Sequence, residues 1–156
     1  MQGKKPNQFN IRVYGLFVNE KKEVLLADEE RFGMRMTKFP GGGLRFGEGT
    51  IECLKREALE EFGQEIEVIE HFYTTDFFQR ARFYDDHQLI SIYYLARFTE
   101  PERFRISKLP FDFKDTKKEI LSFRYKKIAD MADDELSFPV DQYVLKKLKS
   151  RIKNHR

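Results

Sequence analysis

The chain has 156 residues, with 29 Lys and Arg against 26 Asp and Glu, and its formal net charge of +3 argues against nucleic-acid binding driven by charge alone. A single cysteine, Cys53, excludes an internal disulfide, and no apolar run reaches the roughly 20 residues of a membrane span. No linker composition interrupts residues 1–156, so one globular domain with a phenylalanine-rich core is expected. The opening residues carry no apolar signal segment, which makes a cytoplasmic location the expectation.

From residue 9 to 18, Phe9, Ile11, Val13, Gly15 and Phe17 alternate with Asn10, Arg12, Tyr14 and Leu16, the period of a strand. "VNEKKE" turns the chain into a second strand, "VLLA", and the two read as a hairpin. A charged loop, "DEERFGMRM", and a short extended piece, "TKFP", lead into "GGGLRFGEG". The loop "FPGGGLRFGEG" holds five glycines in eleven positions, so its backbone is free to approach a ligand closely.

A helix is expected over residues 50–62, with Thr50 as N-cap and Gly63 in the left-handed position that ends it. "IEVIEHFYTTDFF" reads as one or two strands, "HQLISIYYLARF" as a long strand and "EILSFRYKKI" as another. Val140, Val144, Leu148 and Ile152 form a helical stripe over residues 137–152, with Pro139 in its first turn. Strands on both sides of a central helix, with a second helix last, give an α+β or mixed-sheet domain. The basic tail "LKKLKSRIKNHR" reads first as a solvated helix face.

On a helical wheel of about 100° per residue, Ile51, Leu54, Ala58 and Phe62 share one arc and face the core. Glu57, Glu60 and Glu61 fill the adjacent arc, at its rim. Three neighbouring carboxylates repel one another unless a positive group stands among them. Arg56, four residues from both Glu52 and Glu60, is one such group, and a divalent cation such as Mg²⁺ or Mn²⁺ with its oxygen ligands is another. An ordinary solvated face would account for "KREALEEFG" by itself, and only the glycine loop before it favours a site. That loop fits neither a P-loop nor the dinucleotide spacing.

Loop and helix together resemble the Nudix box, the signature of the Nudix hydrolases, G-x5-E-x7-R-E-U-x-E-E-x-G-U, with U a bulky aliphatic residue. Gly42, Glu48, Arg56, Glu57, Glu60, Glu61 and Gly63 match all seven fixed positions across residues 42–64. Ala58 and Gln64 depart from the aliphatic positions, and Gln64 puts the packing after the helix in question. The resemblance implies an α/β/α sandwich with a mixed sheet, binding Mg²⁺ or Mn²⁺ through Glu57, Glu60, Glu61 and the carbonyl of Gly41. It also implies that Arg56 orients the glutamates, with Glu48 stabilising the loop.

The implied reaction is hydrolysis of a nucleoside diphosphate linked to another moiety, for example a nucleoside triphosphate or a nucleotide sugar. Metal held by the glutamates polarises a phosphoryl oxygen and activates water. The general base is either a box glutamate or a downstream acid, Asp115 or Glu119. Arg31, Arg35, Lys38 and Arg45 are candidate phosphate ligands, Phe72, Phe77, Phe78 and Tyr84 candidate stacking rings, and Asp141 a candidate contact to a nucleobase edge. The partner is then a nucleotide-type small molecule rather than a membrane or nucleic acid, and a homodimer is an option that many relatives take. A ligand-sensing module that keeps the fold without turnover is the alternative.

Overall fold

A computed structural model describes residues 4–114 and 120–154. Its elements are β1 (Gln8–Phe17), β2 (Glu23–Arg31), β3 (Met34–Lys38), β4 (Gly41–Gly43), α1 (Thr50–Phe62), β5 (Ile66–Thr74), β6 (His87–Phe98), β7 (Leu121–Lys127), a 3-10 turn (Ile128–Asp130) and α2 (Pro139–Asn154). They fall into two compact units. One combines the chain up to Gly15 with Gly41–Glu100, and the other combines Leu16–Pro40 with the chain from Pro101 onward.

In the first unit the strand order is β4-β1-β6-β5. The glycine run expected as a loop begins as a strand, with Gly41, Gly42 and Gly43 opposite Tyr14, Val13 and Arg12 in antiparallel register. Gly41 is required by space, since a Cβ there would lie 2.1 Å from the carbonyl oxygen of Val13. β5 and β6 pair antiparallel from Ile66↔Phe98 to Thr74↔Ile92, with two irregularities in β5. Tyr14 stacks on Tyr93 of β6 at 5.2 Å, and Phe62 meets Phe98 edge-on at 5.2 Å.

α1 buries Cys53, Leu54, Ala58 and Phe62. Ile51, expected on that face, is exposed in the first turn of the helix, and Cys53 is buried beside Leu54. The N-cap is Gly49, not Thr50: Gly49 is extended (φ −79°, ψ 169°), and Glu52 reaches back to accept its N–H at 3.1 Å. Thr50 is already helical, and its hydroxyl pairs with that of Tyr94 at 2.6 Å. Gly63 ends the helix at φ 66°, as its place after the periodic stretch predicts. Gln64 is buried in the position where the box pattern has an aliphatic residue.

The second unit holds a three-stranded sheet, β3-β2-β7, and α2. The expected β1–β2 hairpin is replaced by a single antiparallel bridge, Val18↔Val24, across a turn in which the Asn19 side chain accepts the N–H groups of Lys21 and Glu23. β2 instead forms its hairpin with β3, through the stretch read as a charged loop. Phe32 (φ 52°) and Gly33 (φ 74°) make the two-residue turn with both φ positive, as a type I′ hairpin needs. The charges that suggested a loop pair across it, with Glu30 opposite Arg35 at 3.3 Å and Glu29 bound to Lys38 at 3.2 Å.

β2 also pairs with β7, and Ile106 makes a parallel bridge to Phe123, so strand pairing is mixed. Leu25, Leu26, Phe39, Met131, Leu136, Leu145 and Leu148 are among the buried side chains of this unit. α2 starts with Pro139, whose missing N–H costs nothing in a first turn. Among these apolar groups lies a charged pair. Asp28 is fully buried and accepts from Arg124 at 2.7 Å and 3.2 Å, from the Thr37 hydroxyl at 2.7 Å and from the Phe111 amide at 3.1 Å. Burial opposes the charge on Arg124, yet its hydrogen bonds to Asp28 and then Glu135 raise its pKa. No helix among the described residues is long and apolar enough to cross a membrane.

Candidate active site

Strand β4 and helix α1 bring the box residues together. Arg56 is the hub: its Nε and Nη2 donate to the two oxygens of Glu48 at 2.9 Å and 2.8 Å, a bidentate pair. Nη1 donates to Glu57 at 3.0 Å and to Glu60 at 3.3 Å, and Nη2 also reaches the Gly43 carbonyl at 2.9 Å. Of the two helical partners open to Arg56, Glu60 is the one engaged, while Glu52 serves the cap. Arg45 stands at the open side of the cluster, its amide donating to Glu48 at 2.9 Å and its guanidinium 3.7 Å from Glu60.

The consequence is electrostatic order in a cluster that would otherwise repel itself. The Arg56 guanidinium holds the Glu48 carboxyl at about 2, far below its ordinary 4.5, and Arg56 is raised in turn by Glu48. Glu57 is mostly covered, at 15% exposure, and Glu60 half open, at 48%. Glu61 lies on the same helix, part-buried, one turn after Glu57. Gly42 makes room for this set, because a Cβ there would lie 2.2 Å from the Glu57 carboxylate.

Cys53 and Gly43 join the site beyond the expected residues. Cys53 Sγ donates to the Gly43 carbonyl at 3.5 Å and lies 3.7 Å from Arg56 Nη2, and burial pushes its thiol up to about 11. The available signal was its position three residues before Arg56 on one helix face.

Among the described residues no three acidic, histidine or cysteine side chains converge into a ligating cluster, and Arg56 here bridges Glu57 and Glu60. The donor set itself suits a hard divalent cation: oxygen atoms only, on positions i, i+3 and i+4 of a helix, beside a glycine cradle.

The family model for the NUDIX domain matches residues 8–144. The chain belongs to the Nudix family. Its fold is similar to that of a Nudix hydrolase from Nitrosomonas europaea (17% identity over 94% of this chain and 90% of that one, TM-score 0.69) and of the ORF135 protein of E. coli (15%, 95% and 94%, 0.72). It is also similar to a structure described as MutT from Aliivibrio salmonicida and Vibrio cholerae (22%, 92% and 99%, 0.60). A search of curated proteins gave no match. These likenesses establish the α+β Nudix fold.

The other expected residues of this Nudix chain lie in both units. Gly41 is in β4, paired with Tyr14. Arg31, Arg35 and Lys38 stand on the β2–β3 hairpin of the second unit. Lys38 is paired with Glu29 and Arg35 with Glu30, and the Arg35 guanidinium also lies over Phe111 at 5.3 Å, as Arg31 lies over Phe32 at 5.0 Å. Asp141 is buried in the first turn of α2. Phe72 is part-buried in β5, while Phe77, Phe78 and Tyr84 are exposed between β5 and β6, where Arg80 covers Phe78 and Tyr84 leans on His87. Asp115 and Glu119 lie outside the described residues.

Proposed function

We propose that this Nudix hydrolase cleaves the diphosphate linkage of a nucleoside diphosphate joined to another moiety, with Mg²⁺ or Mn²⁺ held by Glu57, Glu60, Glu61 and the Gly41 carbonyl. One observation carries the reading: Arg56 gathers Glu48, Glu57 and Glu60 at hydrogen-bonding distance against a glycine that no other residue could replace. A structural helix face has no need of that arrangement. One of the solved structures with this fold is that of a UDP-X diphosphatase (16% identity, TM-score 0.62), which supports a nucleotide-linked diphosphate as the substrate class.

The bound ion supplies charge neutralisation of the diphosphate and activation of water. Arg56 would hold Glu57 and Glu60 on one side of the helix beside the ion, anchored itself by its bidentate pair with Glu48. Glu48 keeps the loop closed over the helix by accepting from both Arg56 and the Arg45 amide. Arg45 stands at the open side of the cluster and meets the phosphates, exchanging its long contact to Glu60 for theirs. Lys38, Arg35, Arg31 and Asp141 are further substrate contacts in this reading. The general base is a box glutamate, Asp115 or Glu119, and Glu61→Gln, Asp115→Asn and Glu119→Gln separate them by pH–rate profile.

A panel of nucleoside triphosphates, nucleotide sugars and dinucleoside polyphosphates, assayed with Mg²⁺ and with Mn²⁺, tests the proposal. Turnover abolished by chelator, and reduced about 100-fold in Glu61→Gln with an unchanged melt, is the expected result. No hydrolysis by the wild type with either ion overturns it in favour of a ligand-sensing module. The reading also takes residues 1–156 as one cytoplasmic Nudix domain, with a homodimer as an option, and a single unfolding transition and sedimentation test the first and last of these.

A further inference from the structure

Between β4 and α1, residues 45–48 form a tight turn. The Glu48 N–H donates to the Arg45 carbonyl at 3.3 Å, and Gly47, at the third position, has φ 89°, as a type II turn requires. Phe46, at the second position, is fully exposed, the most exposed large apolar side chain among the described residues.

Single exposed apolar side chains are common on proteins, so exposure alone marks nothing, and what sets Phe46 apart is the turn that carries it. Both neighbours that flank this turn, Arg45 and Glu48, are tied to the cluster. Glu48 accepts the Arg45 amide at 2.9 Å and is itself clamped by Arg56 at 2.8 Å and 2.9 Å, while Arg45 is held 3.7 Å from Glu60. The ring is thus presented to water by a turn fastened on both sides to the acidic cluster. Beside it, a Cβ on Gly47 would meet nothing within 4 Å, so the approach is open.

We infer that Phe46 is a specificity-determining residue on which the substrate's nucleobase stacks while its diphosphate lies at the Arg45–Glu60 side of the cluster. The inference rests on the nucleotide-diphosphate reading above. Chemically the pairing is complementary: an uncovered phenyl ring on an anchored turn offers its face to a flat base, and the neighbouring arginine takes the attached phosphate.

The chain has no tryptophan, so Phe46→Trp places a lone indole at the tip of the turn. With Mg²⁺ present, ADP or UDP is expected to quench its emission, and inorganic pyrophosphate is not. In calorimetry, Phe46→Ala weakens ADP or UDP about tenfold and leaves pyrophosphate unaffected. Phe9→Ala, which removes another exposed ring of β1, alters neither. Equal quenching by pyrophosphate, unchanged nucleotide affinity in Phe46→Ala, or a wild type that binds no nucleoside diphosphate overturns the inference. A wild-type dimer that Phe46→Ala splits while nucleotide affinity stays unchanged also overturns it, placing the ring in a subunit contact. Because binding is read without turnover, nucleotide binding through Phe46 in a protein that hydrolyses nothing would overturn the hydrolase reading alone.

Discussion

The Glu57 carboxylate fills the space that a side chain at Gly42 would need, with its Cδ and Oε1 each 2.2 Å from where a Cβ would stand. Strand β4 and helix α1 can therefore lie this close only with glycine at 42, and Glu57 is turned toward Arg56 as a result.

Gly42→Ala should displace Glu57 without straining the backbone, since the conflict is steric. We expect kcat to fall about 100-fold, the usual effect of moving a catalytic group by an ångström, with a modest loss of thermal stability. Steady-state kinetics beside a melting curve separates this from simple unfolding.

The Glu48–Arg56 pair predicts a pH dependence. Glu48 titrates at about 2 in the folded protein against 4.5 ordinarily, so its stabilisation is fully present above 4.5 and is lost as pH falls through about 2. The melting temperature of the wild type should exceed that of Glu48→Gln at neutral pH. The gap should close as pH is lowered toward 2.

Asp28 and Arg124 are held apart from water in the second unit, and removing one leaves the other's charge uncompensated. Asp28→Ala should cost about 3–5 kcal/mol in urea unfolding. The double replacement Asp28→Leu with Arg124→Met should recover part of that loss, because it removes both buried charges while the Thr37 hydroxyl and the Phe111 amide still lose their acceptor.

Gly63 ends α1 at φ 66° with open space around it, so a substitution there meets a backbone penalty and no clash. Gly63→Ala should lower stability by about 1 kcal/mol with kcat unchanged. Chemical denaturation paired with the activity assay checks both halves.

What was legible in the chain was what repeats over a few residues. The apolar period of residues 50–62 and Gly63 after it marked α1, and the β-branched and aromatic run from His87 marked β6 to its observed ends. The spacing of Gly42, Glu48, Arg56, Glu57, Glu60 and Glu61 named the family, since helical geometry makes positions one turn apart neighbours in any context.

Tertiary structure decided what depends on distant partners. Residues 28–36 read as a charged loop because charge signals solvent in one dimension, whereas in the folded chain Glu29 and Glu30 find Lys38 and Arg35 across a hairpin. Asp28 is buried only because Arg124, 96 positions away, neutralises it. Glycines at 41–43 form a strand because Arg12, Val13 and Tyr14 offer them a partner, and Gly42 must be glycine because Glu57 arrives against it. Local periodicity fixes which residues share a face, and the cost of burying charge and backbone without a partner determines what that face must meet.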